Sequence, residues 1–186
     1  PRNGERIFPY LGGEDINSSP NQRSHRFIID FEEMSELEAR RWPDLFSVVE
    51  TKVKPARALV TQRDRRDLWW IYATRAPAVR RYVQEHGRCL VAAKVSANLA
   101  FSFVGPGVVF PDTVVLLLHH RWSALAVLQS SAHGSWARFF GSSMKDDLRY
   151  TPSDCFETFP FPPAYESNRA LEAIGREYYE FRAALM

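Results

Sequence analysis

Two stretches of this chain carry residue types that could do chemistry. Pro43-Asp44 followed by Glu50-Thr51-Lys52 has the P-D…E-x-K order of Mg²⁺-dependent nucleases, in which carboxylates hold the metal and the lysine assists attack on phosphate. Only six positions separate the two carboxylates, and both fall inside a helical pattern, whereas that chemistry uses neighbouring strands. A solvated helix face is the simpler reading of Asp44, Glu50 and Lys52, with a metal nuclease as an alternative. Phe161-Pro162-Pro163-Ala164-Tyr165 imitates the P-P-[YFW] of amino-methyltransferases, but Phe161 stands where an Asn or Asp must accept from the target amine. Gly12-Gly13 and Gly105-Pro106-Gly107 lack the strand-to-helix context of a nucleotide or S-adenosylmethionine cradle. The five histidines have no metal-ligand spacing, and Cys89 and Cys155, outside any C-x-x-C pair, read as reduced thiols. The expectation is a chain with no catalytic residue, metal or cofactor of its own.

Charge points to a partner instead. Net charge is only +2, but residues 52–94 hold eleven Lys or Arg against three acids, between acidic flanks. A polyanion-binding surface has this distribution, and so does a solvated face in a chain with 20 arginines among its 24 basic residues. With 186 residues, 45% of them hydrophobic, one compact domain with a short appendage is expected. No apolar run approaches the ~20 residues of a membrane span and no signal peptide is visible, so a soluble cytoplasmic protein without a membrane partner is anticipated. The extended start at Pro1 reads as a junction within something larger.

These surfaces need elements to hold them. Asn17–Gln22 reads as a loop and Arg26–Asp30 as a strand. Ser35 and Glu38 form a capping box, after which Leu37, Trp42, Leu45, Phe46, Val49 and Val53 continue an apolar stripe, kinked or broken at Pro43 and stopped at Pro55. Thr61–Asp67 is too polar for a core face and reads as a loop. Pro77–His86 is a helix closed by Gly87. Cys89–Val95, Leu99–Val104, Val108–Phe110 and Thr113–Leu118 read as an antiparallel meander. Ser123–Phe140 returns to helical spacing through Leu125, Leu128, Ala132, Trp136 and Phe139, ended by Gly141; Ser142–Asp154 reads as a polar loop. Ser167 or Asn168 caps a last helix whose stripe is Leu171, Ile174, Tyr178, Phe181 and Leu185. The class is α+β, a mostly antiparallel sheet with flanking helices and a C-terminal helix.

Several ordered pieces together resemble a known family. They are Pro9–Asn17, Ile29-Asp30-Phe31 with Met34 and Glu38-Ala39-Arg40, Val53–Arg57, and Asp146–Pro162 containing Arg149-Tyr150-Thr151. The chain resembles, over residues 8–162, the target-recognition domain that forms the C-terminal part of N6-adenine DNA methyltransferases of the MmeI-like (type IIL) restriction-modification group. The resemblance implies residues 1–24 as a junction after an absent methyltransferase domain, 25–162 as the recognition domain and 163–186 as the start of a helical region. It also implies sequence-specific binding of double-stranded DNA in a prokaryotic cell. The methyltransferase of the same polypeptide, with its S-adenosylmethionine, and any Mg²⁺-dependent nuclease lie elsewhere in the parent chain. Oligomeric state is left open.

In that family the segment before R-Y-[ST] reads bases at alternating positions, which fall here on Lys145, Asp147 and Arg149. Lysine donates to guanine O6 and N7 and aspartate accepts from cytosine N4, so Lys145 with Asp147 fits the two halves of a G·C pair. The alternative is a loop ion pair, with Arg149 anchoring Tyr150 or a phosphate. Asp112 and Thr113 resemble a cooperating position, or simply form a turn. Lys94, Ser96 and Asn98 have the types that contact phosphate or adenine edges, and equally those of a hairpin surface. Arg63, Arg65 and Arg66 are candidate phosphate contacts. Trp69, Trp70, Trp122 and Trp136 are assigned to the core, with stacking on a flipped base as the alternative. A scaffold domain docking the methyltransferase is the rival function.

Overall fold

The structure is a computed structural model that describes residues 2–18, 24–144 and 147–185, with residues 143 and 144 described as backbone. Its elements begin with β1 (Ile7–Pro9), α1 (Gly13–Ser18), β2 (Phe27–Ile29), α2 (Glu36–Ala39), α3 (Pro43–Lys52), α4 (Lys54–Ala58), α5 (Arg63–Asp67) and α6 (Pro77–His86). They continue with β3 (Cys89–Ala93), β4 (Val95–Ser96), β5 (Phe101–Val104), β6 (Val114–Leu117), α7 (Trp122–Leu128) and α8 (Ser131–Phe140). Last come β7 (Ser142–Met144), β8 (Asp147–Arg149), α9 (Pro152–Cys155) and α10 (Arg169–Leu185). All strand pairs among the described residues are antiparallel and helices flank them, the α+β class. Two compact units result: Pro1–Tyr10 with His25–Ala76, and Leu11–Ser24 with Pro77–Met186.

In the first unit, β1 pairs with β2 and a cluster of Phe31, Trp42, Leu45, Phe46, Val49 and Trp69 forms the core. The capping box forms as the sequence predicts, with Ser35 N–H donating to Glu38 Oε2 at 2.8 Å and Glu38 N–H to Ser35 Oγ at 3.3 Å. The stripe is not continuous, however: α2 is one turn, α3 opens on Pro43, and Leu37 is exposed. Pro55 does not simply stop the chain; lacking an N–H, it fits the first turn of the next helix, α4. Residues 63–67 are helical rather than a loop. Arg63 bonds Asp67 one turn on, and none of α5 is buried, so the turn needs no core face.

The second unit is built around β3, whose five residues are all buried. Leu90 and Ala92 face a cluster with Phe101, Val115, Leu117 and Leu125, while Cys89 and Val91 face Leu11, Ile16, Val83 and Val114. An uncharged strand apolar on both sides takes the centre, so the sheet order is β5-β3-β6 and not the sequential meander of the sequence reading. Val108–Phe110 contributes only a single bridge, Val109 accepting from Leu11 N–H. The strand expected to run to Val95 divides at Lys94, and β4 joins a second sheet, β4-β8-β7. Ser142–Met144 and Asp147–Arg149 are therefore paired antiparallel strands and Pro152–Cys155 a short helix, not parts of a polar loop. Asn17 and Ser18 likewise belong to α1.

The helix expected over 123–140 is two, because Ser130 breaks it and caps α8 by accepting from His133 N–H. α10 has Asn168 as its cap, Oδ1 accepting from Ala170 and Leu171 N–H. Its buried face is not the apolar stripe. Ile174, Phe181 and Leu185 are exposed, and α10 docks through Glu172, Gly175, Tyr179 and Arg182. Gly175 lets the helices meet, since a Cβ there would strike the Trp122 carbonyl. Glu172 accepts from Ser123 N–H at the start of α7, and Arg182 donates to the Phe101 carbonyl of edge strand β5 at 2.7 Å. Glu172, Arg182 and the packing of Tyr179 on Trp122 seat this helix, not its apolar stripe.

Candidate nucleic-acid interface

Lys94 joins the pieces of this surface through its backbone. Its N–H donates to the Thr113 carbonyl and its own carbonyl accepts from Tyr150 N–H, each at 2.8 Å. Beyond it, Val95 stands opposite Arg149 and Ser96 opposite Leu148, while β7 covers the other edge of β8 with Ser142 opposite Arg149 and Met144 opposite Asp147. The Asp112–Thr113 turn, Lys94 and the Asp147–Arg149 strand thus become neighbours although 18 to 55 positions separate Lys94 from them in sequence.

Alternation along β8 decides which side chains look outward. Leu148 is 6% exposed and Tyr150 0%, so Asp147 and Arg149 project from the opposite face. Arg149 is exposed and Asp147 half-buried, and among the described residues neither side chain has an ion-pair partner. Asp112 and Thr113 are exposed at the tip of a turn closed by Val114 N–H to the Pro111 carbonyl at 3.2 Å. Lys94 is half-buried and Asn98 exposed. Ser96 is buried: its hydroxyl donates to the Asn98 carbonyl at 2.7 Å and accepts from Asn98 N–H at 3.2 Å, so it shapes the turn that presents Asn98. Lys145 lies outside the described residues.

Beneath this face lies an anchor that the sequence reading missed. Tyr150 Oη is 3.1 Å from His133 Nε2, and His133 Nδ1 is 2.7 Å from the Leu128 carbonyl. A carbonyl only accepts, so Nδ1 carries the proton and Nε2 accepts from the tyrosine hydroxyl. Burial lowers the His133 pKa and raises that of Tyr150, holding both neutral. Gly141 brings α8 against the hairpin: a Cβ there would stand 2.8 Å from Leu148 Cδ1 and 3.2 Å from the Arg149 carbonyl. Arg138, also missed, donates to the Ala97 carbonyl at 3.2 Å. The one available signal was the alternation Asp147-Leu148-Arg149-Tyr150 itself.

Arg63, Arg65 and Arg66 belong to the first unit, all exposed on α5, with Arg63 and Arg66 sharing Asp67 at 3.2 and 3.9 Å. Pairs this exposed cost little to break. Burial, and then the nearby Arg65 charge, lower the Arg57 pKa. Trp69 is 7% exposed and Trp70 donates to the Met34 carbonyl, which places both in the core of this unit. Beside them lies a cavity of about 310 Å³ lined by Phe27, Ile29, Val49, Trp69, Trp70 and Tyr72, with Lys52 and Arg57.

The catalytic stretches resolve into structural roles. Glu50 accepts from Lys54 at 3.0 Å, with Arg40 at 3.6 Å, and these cations hold its carboxyl below the usual range. Asp44 accepts from Asn3 at 3.1 Å. Among the described residues no group of three His, Cys, Asp or Glu is placed to hold a metal ion. Gly12 N–H is bonded to Asp15, and the space beside Gly13 is taken by Ala93 and the Thr113 carbonyl, so this glycine pair does not fit an S-adenosylmethionine cradle. Cys89 and Cys155 are free and buried, and burial pushes the Cys89 thiol up to about 11, away from reactivity.

Residues 1–163 match the family described as MmeI, target recognition domain. The chain belongs to this family. The MmeI target recognition fold is also found in a solved structure, the type IIL restriction-modification enzyme MmeI in complex with DNA, which aligns at 18% identity with a TM-score of 0.73. That alignment covers 94% of this chain and 22% of the other, so the chain spans about a fifth of the solved enzyme. No curated protein matches the chain. Among the described residues no helix is long and apolar enough to cross a membrane.

Proposed function

We propose that this MmeI-type recognition domain reads a specific double-stranded DNA sequence through the outward face of the β7–β8 hairpin and the Asp112–Thr113 turn. The observation that carries the reading is the doubly bonded Lys94 backbone, which gathers the turn and the Asp147–Arg149 strand into one patch. On this reading Asp147 accepts from cytosine N4, Lys145 donates to the paired guanine, and Arg149 contacts guanine or phosphate. Asp112 and Thr113 read an adjacent position, and Lys94 and Asn98 hold the backbone; Arg63, Arg65 and Arg66, within the first unit, are separate candidates for phosphate contact. The domain places an S-adenosylmethionine-dependent adenine-N6 methyltransferase, and any Mg²⁺-dependent nuclease, carried elsewhere in a longer cytoplasmic, nucleoid-associated parent. The relative solved with DNA supports duplex DNA as the partner.

Selection from a randomised duplex pool at low salt tests this reading. A preferred sequence is expected, and exchanging Lys145 with Asp147 should change preference at one base pair. Uniform weakening across all sites would reduce the hairpin to a phosphate contact. A scaffold role has one observation in its favour, the exposed stripe of Ile174, Phe181 and Leu185 on α10. Tight association with a separated methyltransferase, together with DNA binding that hardly responds to salt, would favour it.

A further inference from the structure

The cavity of the first unit, about 310 Å³, is at the small end of ligand-sized pockets, and its lining combines flat rings with unanswered positive charge. Val49 and Trp69 are its buried part, and Trp70 and Tyr72 stand with them. Trp70 and Tyr72 are held in place: the Trp70 indole N–H donates to the Met34 carbonyl at 2.9 Å, and the Tyr72 hydroxyl is 3.1 Å from that of Tyr10. Phe27 of β2 also lines the cavity, yet it is 65% exposed and has no ring partner among the described residues. A phenyl face left open beside rings that are already ordered lets a further flat group gain contact at little entropic cost.

Charge restricts what that group can be. Lys52 of α3 and Arg57 of α4 line the cavity, and neither has an ion-pair partner among the described residues. No described lining residue is acidic. The acids of α3 and α5 are engaged elsewhere or lie off the lining: Glu50 pairs with Lys54 and Arg40, Asp67 with Arg63 and Arg66, Asp44 accepts from Asn3, and Asp64 is not among the lining residues. Arg57 is half-buried, and its burial and then the Arg65 charge already disfavour the guanidinium, so an anion beside it relieves both. A flat ring that carries an anionic group answers the lining. The exposed arginines of α5, of which Arg65 is near enough for Arg57 to feel its charge, favour an anion repeated along a strand over a single one.

We propose that this cavity holds one unstacked nucleotide of a single DNA strand, with its base against Phe27 and the ordered rings and its phosphates at Lys52 and Arg57. The choice of DNA rests on the recognition reading above, whereas the match of rings and cations to a nucleotide does not. Aromatic rings beside a cationic track bind single strands with little regard to base identity, since every base has a flat face.

The probe is an oligothymidylate of about eight nucleotides, within the site sizes of single-strand binding folds, added to the whole chain at low salt. It should quench tryptophan fluorescence, because Trp69 and Trp70 line the cavity. Phe27→Ala should weaken binding about tenfold, the scale of one lost base–aromatic stack, and leave the salt slope unchanged. Arg57→Gln and Lys52→Gln should each flatten the logarithmic salt slope by about 0.7, one phosphate on a single strand. Phe27 and Lys52 are exposed, so their variants should unfold at the wild-type midpoint. Thymidine monophosphate that binds as tightly as the oligomer would overturn the strand in favour of a free nucleotide, and decanoate that binds more tightly than either would overturn the nucleotide itself. An oligomer that fails to bind, or binds all three variants as it binds wild type, would overturn the cavity site and leave duplex recognition standing. A chain that holds the oligomer with these variant effects yet selects no duplex sequence would support the cavity site and overturn recognition alone.

Discussion

Tyr150 Oη and His133 Nε2 lie 3.1 Å apart beneath the hairpin, while His133 Nδ1 faces the Leu128 carbonyl at 2.7 Å. The strand that carries Arg149 is thereby fastened to α8 through one hydroxyl. Tyr150→Phe leaves the His133 nitrogen buried without its donor and should cost about 1–3 kcal/mol of stability. Tyr150→Ala adds a cavity and should cost about 3–5 kcal/mol. Urea denaturation monitored by tryptophan fluorescence measures both, and a phenylalanine variant as stable as wild type would remove the hydroxyl from the account.

Acid should loosen the second unit. Burial holds the His133 and His119 pKa values below 6.5. The unfolded chain therefore binds more protons than the folded one between those lowered values and 6.5. This contribution to stability is complete above about 6.5 and is lost as the pH falls below it. The unfolding midpoint should drop between about pH 7 and about pH 5, and a flat profile would mean that both rings accept protons in place.

Two glycines on helices should respond oppositely to alanine. At Gly175 a Cβ meets the Trp122 carbonyl, so Gly175→Ala must push α10 off α7 and should cost about 1–3 kcal/mol. At Gly134, inside α8, nothing lies within 4 Å, and Gly134→Ala should stabilise by up to about 1 kcal/mol through helix propensity. Calorimetry of the pair gives the signs directly; a neutral Gly175→Ala would show that the docking of α10 is loose.

Arg149 and Asp147 should fail in different ways. If Arg149 meets a phosphate, Arg149→Ala lowers affinity evenly across sequences and flattens the logarithmic salt slope by about one. Asp147→Ala should relax preference at one base pair, at about 1–3 kcal/mol of discrimination, and leave that slope alone. Titrations of matched and mismatched duplexes at several salt concentrations separate the two, and identical behaviour of the variants would contradict the division of labour.

Much of this was legible wherever local chemistry decides. The Ser35–Glu38 box, the Gly87 stop and the α6 limits follow from side chains acting within one turn. What the sequence hid depends on partners far along the chain. β3 takes the centre of its sheet only because β5 and β6 arrive on its two edges, and a run of apolar residues does not say which strand that will be. The α10 stripe misled for a related reason: its docking is set by the contact of Gly175 with Trp122 and by Arg182 reaching an edge carbonyl, neither of which registers as hydrophobic periodicity. At the interface, the residue types of Asp147 and Arg149 were visible, but not the helix and buried tyrosine that hold them.

The two-sided strand Asp147–Tyr150 also bears on how such a domain changes over time. Residues facing inward answer to packing, and those facing outward have no ion-pair partner among the described residues. Mutation can therefore rewrite the outward letters one by one while the scaffold stays intact, and a lineage can drift to new addresses without passing through unfolded ancestors.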